Sequence, residues 1–237
     1  MNQFYVIMPN MERLIALDTE TTGLNPKEGH RIIEIGAVEI ININETGVEF
    51  NKYIHSGQQV GESFKVHGIS NDYLRRNGKD FKEIFDDFIT FIKDATLVIH
   101  NAPFDLGFLN NEFKLIGIKD KIESFCNKDK PIIDTLELHK EEFGREKRHS
   151  LDALCRQYGI DDSSRTKHGA LIDSKILALV YSAMISGQET MFNEETNTKP
   201  QISDPSLVKK NRENKDNIKV IYANSEEVKI HKNYFNN

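Results

Sequence analysis

The sequence predicts an α/β fold, a mixed β-sheet flanked by helices with a flexible C-terminal tail. Three observations lead there. An apolar run, Leu14 to Leu17, ends in Asp18 and Glu20; two β-rich stretches, Arg31 to Asn42 and Val48 to His55, follow it; beyond residue 80, helix-spaced and strand-like segments alternate. Consecutive strands followed by strands alternating with helices indicate a mixed sheet with helices on its faces.

Leu14 to Leu17 reads as a buried strand carrying functional residues at its C-terminal end. Side chains alternate along an extended chain, so Asp18 and Glu20 project the same way. The stretch from Thr22 to Pro26 supplies a turn, which accounts for Gly23. Asn44 to Gly47 reads as the hairpin connection between the next two strands, giving three antiparallel strands. Phe81, Ile84, Phe85, Phe88, Ile89 and Ile92 recur at helical spacing and lead into a strand from Ala95 to Ile99. Pro103 suits the first turn of a helix, where its missing N–H costs nothing, and Leu106, Leu109, Phe113 and Ile116 form that helix's apolar face. Asp105 lies near its start. Pro131 to Asp134 is a short strand, Thr135 to Phe143 a helix, and Ser150 to Tyr158 a helix capped by Ser150. A last helix is expected from about Gly169 to Ile185.

With 237 residues, 38% of them hydrophobic, the chain holds one main domain, placed at 12–186, and an appendage. From Asn193 to Asn217 the only aliphatic residues are Ile202, Leu207 and Val208. Such a segment buries too little to offset its ordering entropy, so 193–217 is expected to be a flexible linker. Apolar residues return from Ile218 to Ala223, and Ser225, Glu226 and Glu227 resemble a cap and acidic first turn for a helix reaching Phe235. About twenty residues are too few to fold alone, so 218–237 is expected to fold on a partner.

The net charge of −6 argues against a protein that coats long duplex through a broad basic surface, and leaves room for an enzyme that grips a strand end. Two cysteines, Cys126 and Cys155, without metal-ligand spacing, fit a reducing compartment. The N-terminal stretch lacks a signal-peptide pattern and no run has transmembrane length, so a cytoplasmic location without membrane association is expected.

The chemistry is carried by Asp18 and Glu20 in LIALDTETTGL, Asp105 in HNAPFDLGFL, and His168 with Asp173 in KHGALIDS. Acids gathered in one place repel one another unless divalent cations join them. That points to metal-dependent phosphoryl transfer. Asp173 lies among Ala170, Leu171, Ile172, Ile176 and Leu177, where an inward-facing acid needs a cation or donor. Five positions on one helix separate side chains by about 140°, so His168 can face Asp173 only from the loop before the helix. There an imidazole is suited to proton transfer.

Together these blocks, with VHGIS at 66–70, IIDTL at 132–136 and HSLDALCRQYGID at 149–161, resemble the DEDDh family of 3′→5′ exonucleases in the ribonuclease H-like superfamily. In detail the chain is similar to the proofreading subunits of bacterial replicative DNA polymerases, over roughly Arg13 to Ser186. The resemblance implies that Asp18, Glu20, Asp105 and Asp173 hold two Mg²⁺ or Mn²⁺ ions, that His168 is the general base, and that 5′-mononucleotides are released from a DNA 3′ end. Ser174 stands where the family usually has alanine. Thr19, Thr21 and Gly23 are candidates to touch the terminal nucleotide through backbone and hydroxyl groups. His67 either approaches that nucleotide or is a structural loop histidine. Phe104 and Phe108 either stack on a base or belong to the core. Asp134 reads as structural and not as a fifth ligand, and His100 and Asn101 as locally bonded. Gln188 to Phe192 resembles the short peptide by which replication proteins dock on the sliding clamp. The 218–237 segment is placed like a polymerase-binding tail, and a small accessory subunit is a further possible partner. The alternatives are a free-standing enzyme that trims DNA or RNA 3′ ends, and a subunit that tethers polymerase to clamp.

Overall fold

The structure is a computed structural model that describes residues 12–163 and 165–195, of which 187–195 by backbone alone. Its elements are β1 (Arg13–Thr21), β2 (Ile32–Ile41), β3 (Asn44–Tyr53), α1 (Phe64–His67), α2 (Asn71–Asn77), α3 (Phe81–Ile92), β4 (Thr96–Ile99), α4 (Ala102–Leu115), β5 (Ile132–Asp134), α5 (Thr135–Phe143), α6 (Leu151–Tyr158) and α7 (Ala170–Glu195), with short 3₁₀ turns between some of them. The five strands form one sheet in the order β3-β2-β1-β4-β5. β1 pairs antiparallel with β2, and β2 with β3, whereas β4 runs parallel to both β1 and β5. The fold is the mixed, helix-flanked sheet expected.

Alternation along β1 sorts its residues onto two faces. Ile15 and Leu17 join Phe81, Ile84, Phe88 and Ile92 of α3 and Phe108, Leu109 and Phe113 of α4 in one core cluster. Leu14 and Ala16 join Leu177, Ala178 and Tyr181 of α7 on the opposite face. Behind α7, Leu154 and Cys155 of α6 pack against Ile176, Val180 and Met184. Asp80 opens α3 with a reciprocal capping box to Glu83, the local signal that starts that helix at the end of a loop.

Three boundaries differ from expectation. β1 continues through Asp18 to Thr21, because Asp18 pairs with Gly36 and Glu20 with Glu34 across the ladder to β2. The hairpin turn lies at Asn42 and Ile43, with φ of 51° and 61°, a two-residue turn with left-handed backbone at both positions; Asn44 to Gly47 belong to β3. The Gly47 that suggested a turn serves an irregularity instead, since Ile40 pairs with Glu45 but Val38 with Glu49, and Gly47 has φ 82° between them. α7 runs on to Glu195, through the backbone of Gln188 to Phe192. The first three residues of the expected linker, 193–195, are helical backbone within α7; 196–217 and the expected tail segment 218–237 lie outside the described residues. No helix among the described residues is long and apolar enough to cross a membrane.

Candidate active site

Three carboxylates converge at the C-terminal end of β1. One oxygen each of Asp18, Glu20 and Asp173 lie within 4.8 Å of one another. Asp18 and Glu20 come from the β1 face that α7 covers, and Asp173 from the first turn of α7. Three features of β2 seat that turn. Gly36 has no side chain where a Cβ would stand 2.1 Å from the backbone of Ala170 and Leu171. Glu34 Oε2 accepts from the Ala170 N–H at 3.1 Å, satisfying a donor the helix start leaves open. Ser174 Oγ lies 2.7 Å from the Gly36 carbonyl and 2.7 Å from that of Ala170. The serine that departs from the family's alanine therefore ties the helix to the strand.

Asp105 is placed differently. It is buried at the first turn of α4, on the other face of β1, and Oδ1 accepts from the Thr19 hydroxyl at 2.7 Å. It stands outside the group of three, yet near enough that its charge raises the pKa of Asp18 and of Glu20. Burial, joined by the charges of Asp105, Asp173 and Glu20, pushes the Asp18 carboxyl well above the usual range. Burial, then Asp173 and Glu34, pushes Glu20 up to about 8. Burial also raises Asp105 to about 7, against the lowering effect of its hydrogen bond from Thr19.

His168 lies in the loop before α7, as expected, and its side chain is 46% exposed. Its backbone N–H donates to the Val66 carbonyl at 3.3 Å, and the ring Nδ1 lies 3.1 Å from Asp173 Oδ2. Arg165 sits between these two groups. Its Nη2 donates to Asp173 Oδ2 at 2.6 Å and contacts His168 Nδ1, and Nη1 donates to Asp152.

The other candidates are committed inside the protein. The Thr19 hydroxyl is held by Asp105 and the Thr21 hydroxyl donates to the Gly23 carbonyl at 2.6 Å, so neither hydroxyl can reach a ligand without rearrangement. Gly23 does not adopt positive φ; a Cβ there would lie 2.4 Å from the His30 ring, so close packing, not the turn, calls for glycine. His67 is buried, its Nδ1 accepting from the Ile69 N–H and its Nε2 on Ser63 Oγ, both at 3.0 Å. Burial lowers its pKa to about 4, which keeps it neutral. Phe108 is core; Phe104, partly buried, packs against it with ring centroids 5.0 Å apart. Asp134 accepts from the N–H groups of Asn101, Ala102 and Leu136, which joins β5 to the starts of α4 and α5. His100 Nδ1 lies 2.9 Å from Thr135 Oγ1.

Sequence reasoning missed Arg165 and Glu34. Glu34 carried a readable signal, an acid between Ile33 and Ile35 in an apolar strand, the same signal that singled out Asp173. Arg165 stood three residues before His168, just outside the KHGALIDS block, with nothing local to show its direction.

The exonuclease family profile, of the RNase T type, matches residues 15–181. This chain belongs to that family. It is 43% identical to the DNA polymerase III subunit epsilon of Buchnera aphidicola subsp. Schizaphis graminum over 96% of this chain and 97% of that protein. It is 44% identical to the Escherichia coli K12 subunit of that name, over 92% of this chain and 90% of that one. Within the exonucleases it thus falls among the epsilon subunits. Its fold matches the nuclease domain of 3′hExo, a DEDDh family member solved with bound rAMP, at TM-score 0.63 and 21% identity, over 75% of this chain and 94% of that one.

The donor set fits hard divalent cations. All of its atoms are carboxylate oxygens, burial and the neighbouring acids push the pKa values of Asp18 and Glu20 up, and a guanidinium lies against Asp173. Such a set demands positive charge.

Proposed function

We infer that this chain is the proofreading exonuclease of a replicative DNA polymerase, hydrolysing the last phosphodiester of a DNA 3′ end and releasing a 5′-mononucleotide. The observation that carries the reading is the convergence of Asp18, Glu20 and Asp173 beside His168 in a chain that matches an epsilon subunit over 96% of its length. Asp18, Glu20, Asp173 and Asp105 are the residues that would hold two divalent ions, Mg²⁺ or Mn²⁺. Ions held there supply Lewis acidity at the scissile phosphate. His168, half exposed on its loop, takes the proton of the attacking water. Glu34, Gly36 and Ser174 hold the start of α7 so that Asp173 and His168 keep their distance from β1. The backbone from Thr19 to Gly23, which carries Glu20, is the proposed contact for the terminal nucleotide.

The partners that fit this role are the frayed primer end and the polymerase's catalytic subunit. Sliding-clamp docking through Gln188 to Phe192, polymerase docking through 218–237, and a small accessory subunit are the finer assignments. Digestion of 5′-labelled, 3′-mismatched primer–template DNA and of matched RNA, with Mg²⁺ or with chelator, tests the activity. Expected is stepwise shortening of the DNA from its 3′ end that stops in chelator. Faster digestion of RNA would make the chain a 3′-end trimmer, and absence of turnover would leave a tethering subunit. For the clamp, Phe192→Ala should weaken binding by about 1.5–3 kcal/mol, the worth of one buried aromatic anchor, and leave polymerase binding unchanged in titrations against each partner.

A further inference from the structure

Arg165 is the one guanidinium among the described residues that lies against the acid cluster. Its side chain is 7% exposed, buried between Asp173, Asp152 and His168. Against Asp173 it makes one directed hydrogen bond, from Nη2 to Oδ2. At the other edge Nε comes within 2.6 Å of Oδ1, but the direction is wrong for a hydrogen bond, and both buried atoms lack another partner. An Arg–carboxylate pair built for permanence is a bidentate fork with both bonds aligned. Here Asp173 Oδ1 keeps its lone pairs undirected towards any donor, in the same carboxylate that converges with Asp18 and Glu20.

We propose that Arg165 is an exchangeable internal counter-ion, which neutralises Asp173 while the acid cluster lacks divalent cations and gives that carboxylate up when they bind. The proposal rests on the metal reading above. Two features make the exchange feasible. Arg165 does not have to go into solvent to leave, because Nη1 already holds Asp152, an acid 46% exposed at the edge of a cleft of about 500 Å³ that Lys65, Lys167 and His168 also line. Release also frees a second group. A guanidinium can only donate, so while its Nη2 contacts His168 Nδ1 it claims that nitrogen's lone pair. Departure of Arg165 thus returns both the Asp173 carboxylate and the Nδ1 lone pair in one movement.

The test is Mn²⁺ binding by the full chain, followed by the electron paramagnetic resonance of free Mn²⁺, together with thermal melts in chelator and in saturating Mn²⁺. Arg165→Gln removes the competing charge, so Mn²⁺ should bind tighter, by about tenfold if the competition is worth one decade of affinity. Its melting point should fall below wild type in chelator, where Asp173 is left unpaired, and the gap should close in saturating Mn²⁺. Arg165→Lys keeps the charge and loses the simultaneous reach to Asp173 and Asp152, and should tighten binding by a smaller factor; it remains informative where the glutamine variant does not fold. Unchanged or weaker Mn²⁺ binding in both variants, or a melting gap that persists with Mn²⁺, would assign Arg165 a purely structural role. Absence of Mn²⁺ binding in the wild type would overturn the metal reading itself, and the proposal with it.

Discussion

The two faces of β1 build their parts of the site in opposite ways. On the α4 face, Asp105 is backed by the aromatic cluster of α3 and α4 and receives a directed bond from Thr19. On the α7 face, Asp18, Glu20 and Asp173 meet with few directed bonds, and Arg165 and His168 crowd the same carboxylate. One acid is set by packing and a neutral hydroxyl, and the others are held in a charge balance that bound cations would change. The lesson is that a strand's twofold alternation can divide one set of candidate ligands into a half fixed by directed bonds and a half held by charge balance.

The most severe way to break the half held by charge balance is Asp18→Ala. It should lower excision by at least about 10³-fold, since a metal clamp supplies several kcal/mol to the transition state, with the fold intact by circular dichroism because a mutually repelling charge is removed. Activity within tenfold of wild type would move the ligand role elsewhere. His168→Ala should lower turnover by about 10²–10⁴-fold, the contribution of a positioned base, with substrate affinity retained in a binding assay; unchanged turnover would assign proton transfer to another group.

The charge balance can be read without substrate. Glu20 and Asp105 have folded pKa values of about 8 and about 7, raised from 4.5 and 3.8. Between those limits the folded chain without metal binds more protons than the unfolded one, so their contribution to stability is full below the unfolded values and is lost as pH rises through the folded ones. Urea melts in chelator should show stability falling from about pH 5 to about pH 8, and Mn²⁺ should restore most at the upper end, where the acids are already ionised. Stability that rises with pH in chelator would contradict the raised pKa values that burial and the neighbouring charges give Glu20 and Asp105.

The smallest effects compare the two helices directly. Gly36→Ala forces a Cβ into the backbone of α7, an overpacking expected to cost about 1–3 kcal/mol and to lower excision by displacing Asp173. Gly107→Ala in α4 meets nothing within 4 Å and should stabilise by about 0.4–1 kcal/mol through helix propensity and a less free unfolded chain. Denaturant midpoints and turnover for the pair decide it; equal losses would mean that the two helices are seated alike.

Much of this was legible along the chain. Asp18 and Glu20 on one side of a strand, His168 in the loop before a helix, and Asp173 facing inward all followed from alternation, helical angle and the cost of burying an acid, because each is a local relation over a few residues. The exonuclease membership was legible for a related reason, since several ordered motifs must recur together. The hairpin turn was misplaced because Asn44 to Gly47 has turn composition while Asn42 and Ile43 have the turn geometry, and composition does not report backbone handedness at a β-branched residue. What the tertiary structure alone decided is which side chains share a partner. The Thr19 hydroxyl is engaged because α4 brings Asp105 against it, 86 positions away in sequence. Gly36 needs to be glycine only because α7 crosses it, and Arg165 joins the site only because its loop folds back over Asp173. Such contacts join distant segments through packing, so no periodicity or local propensity encodes them.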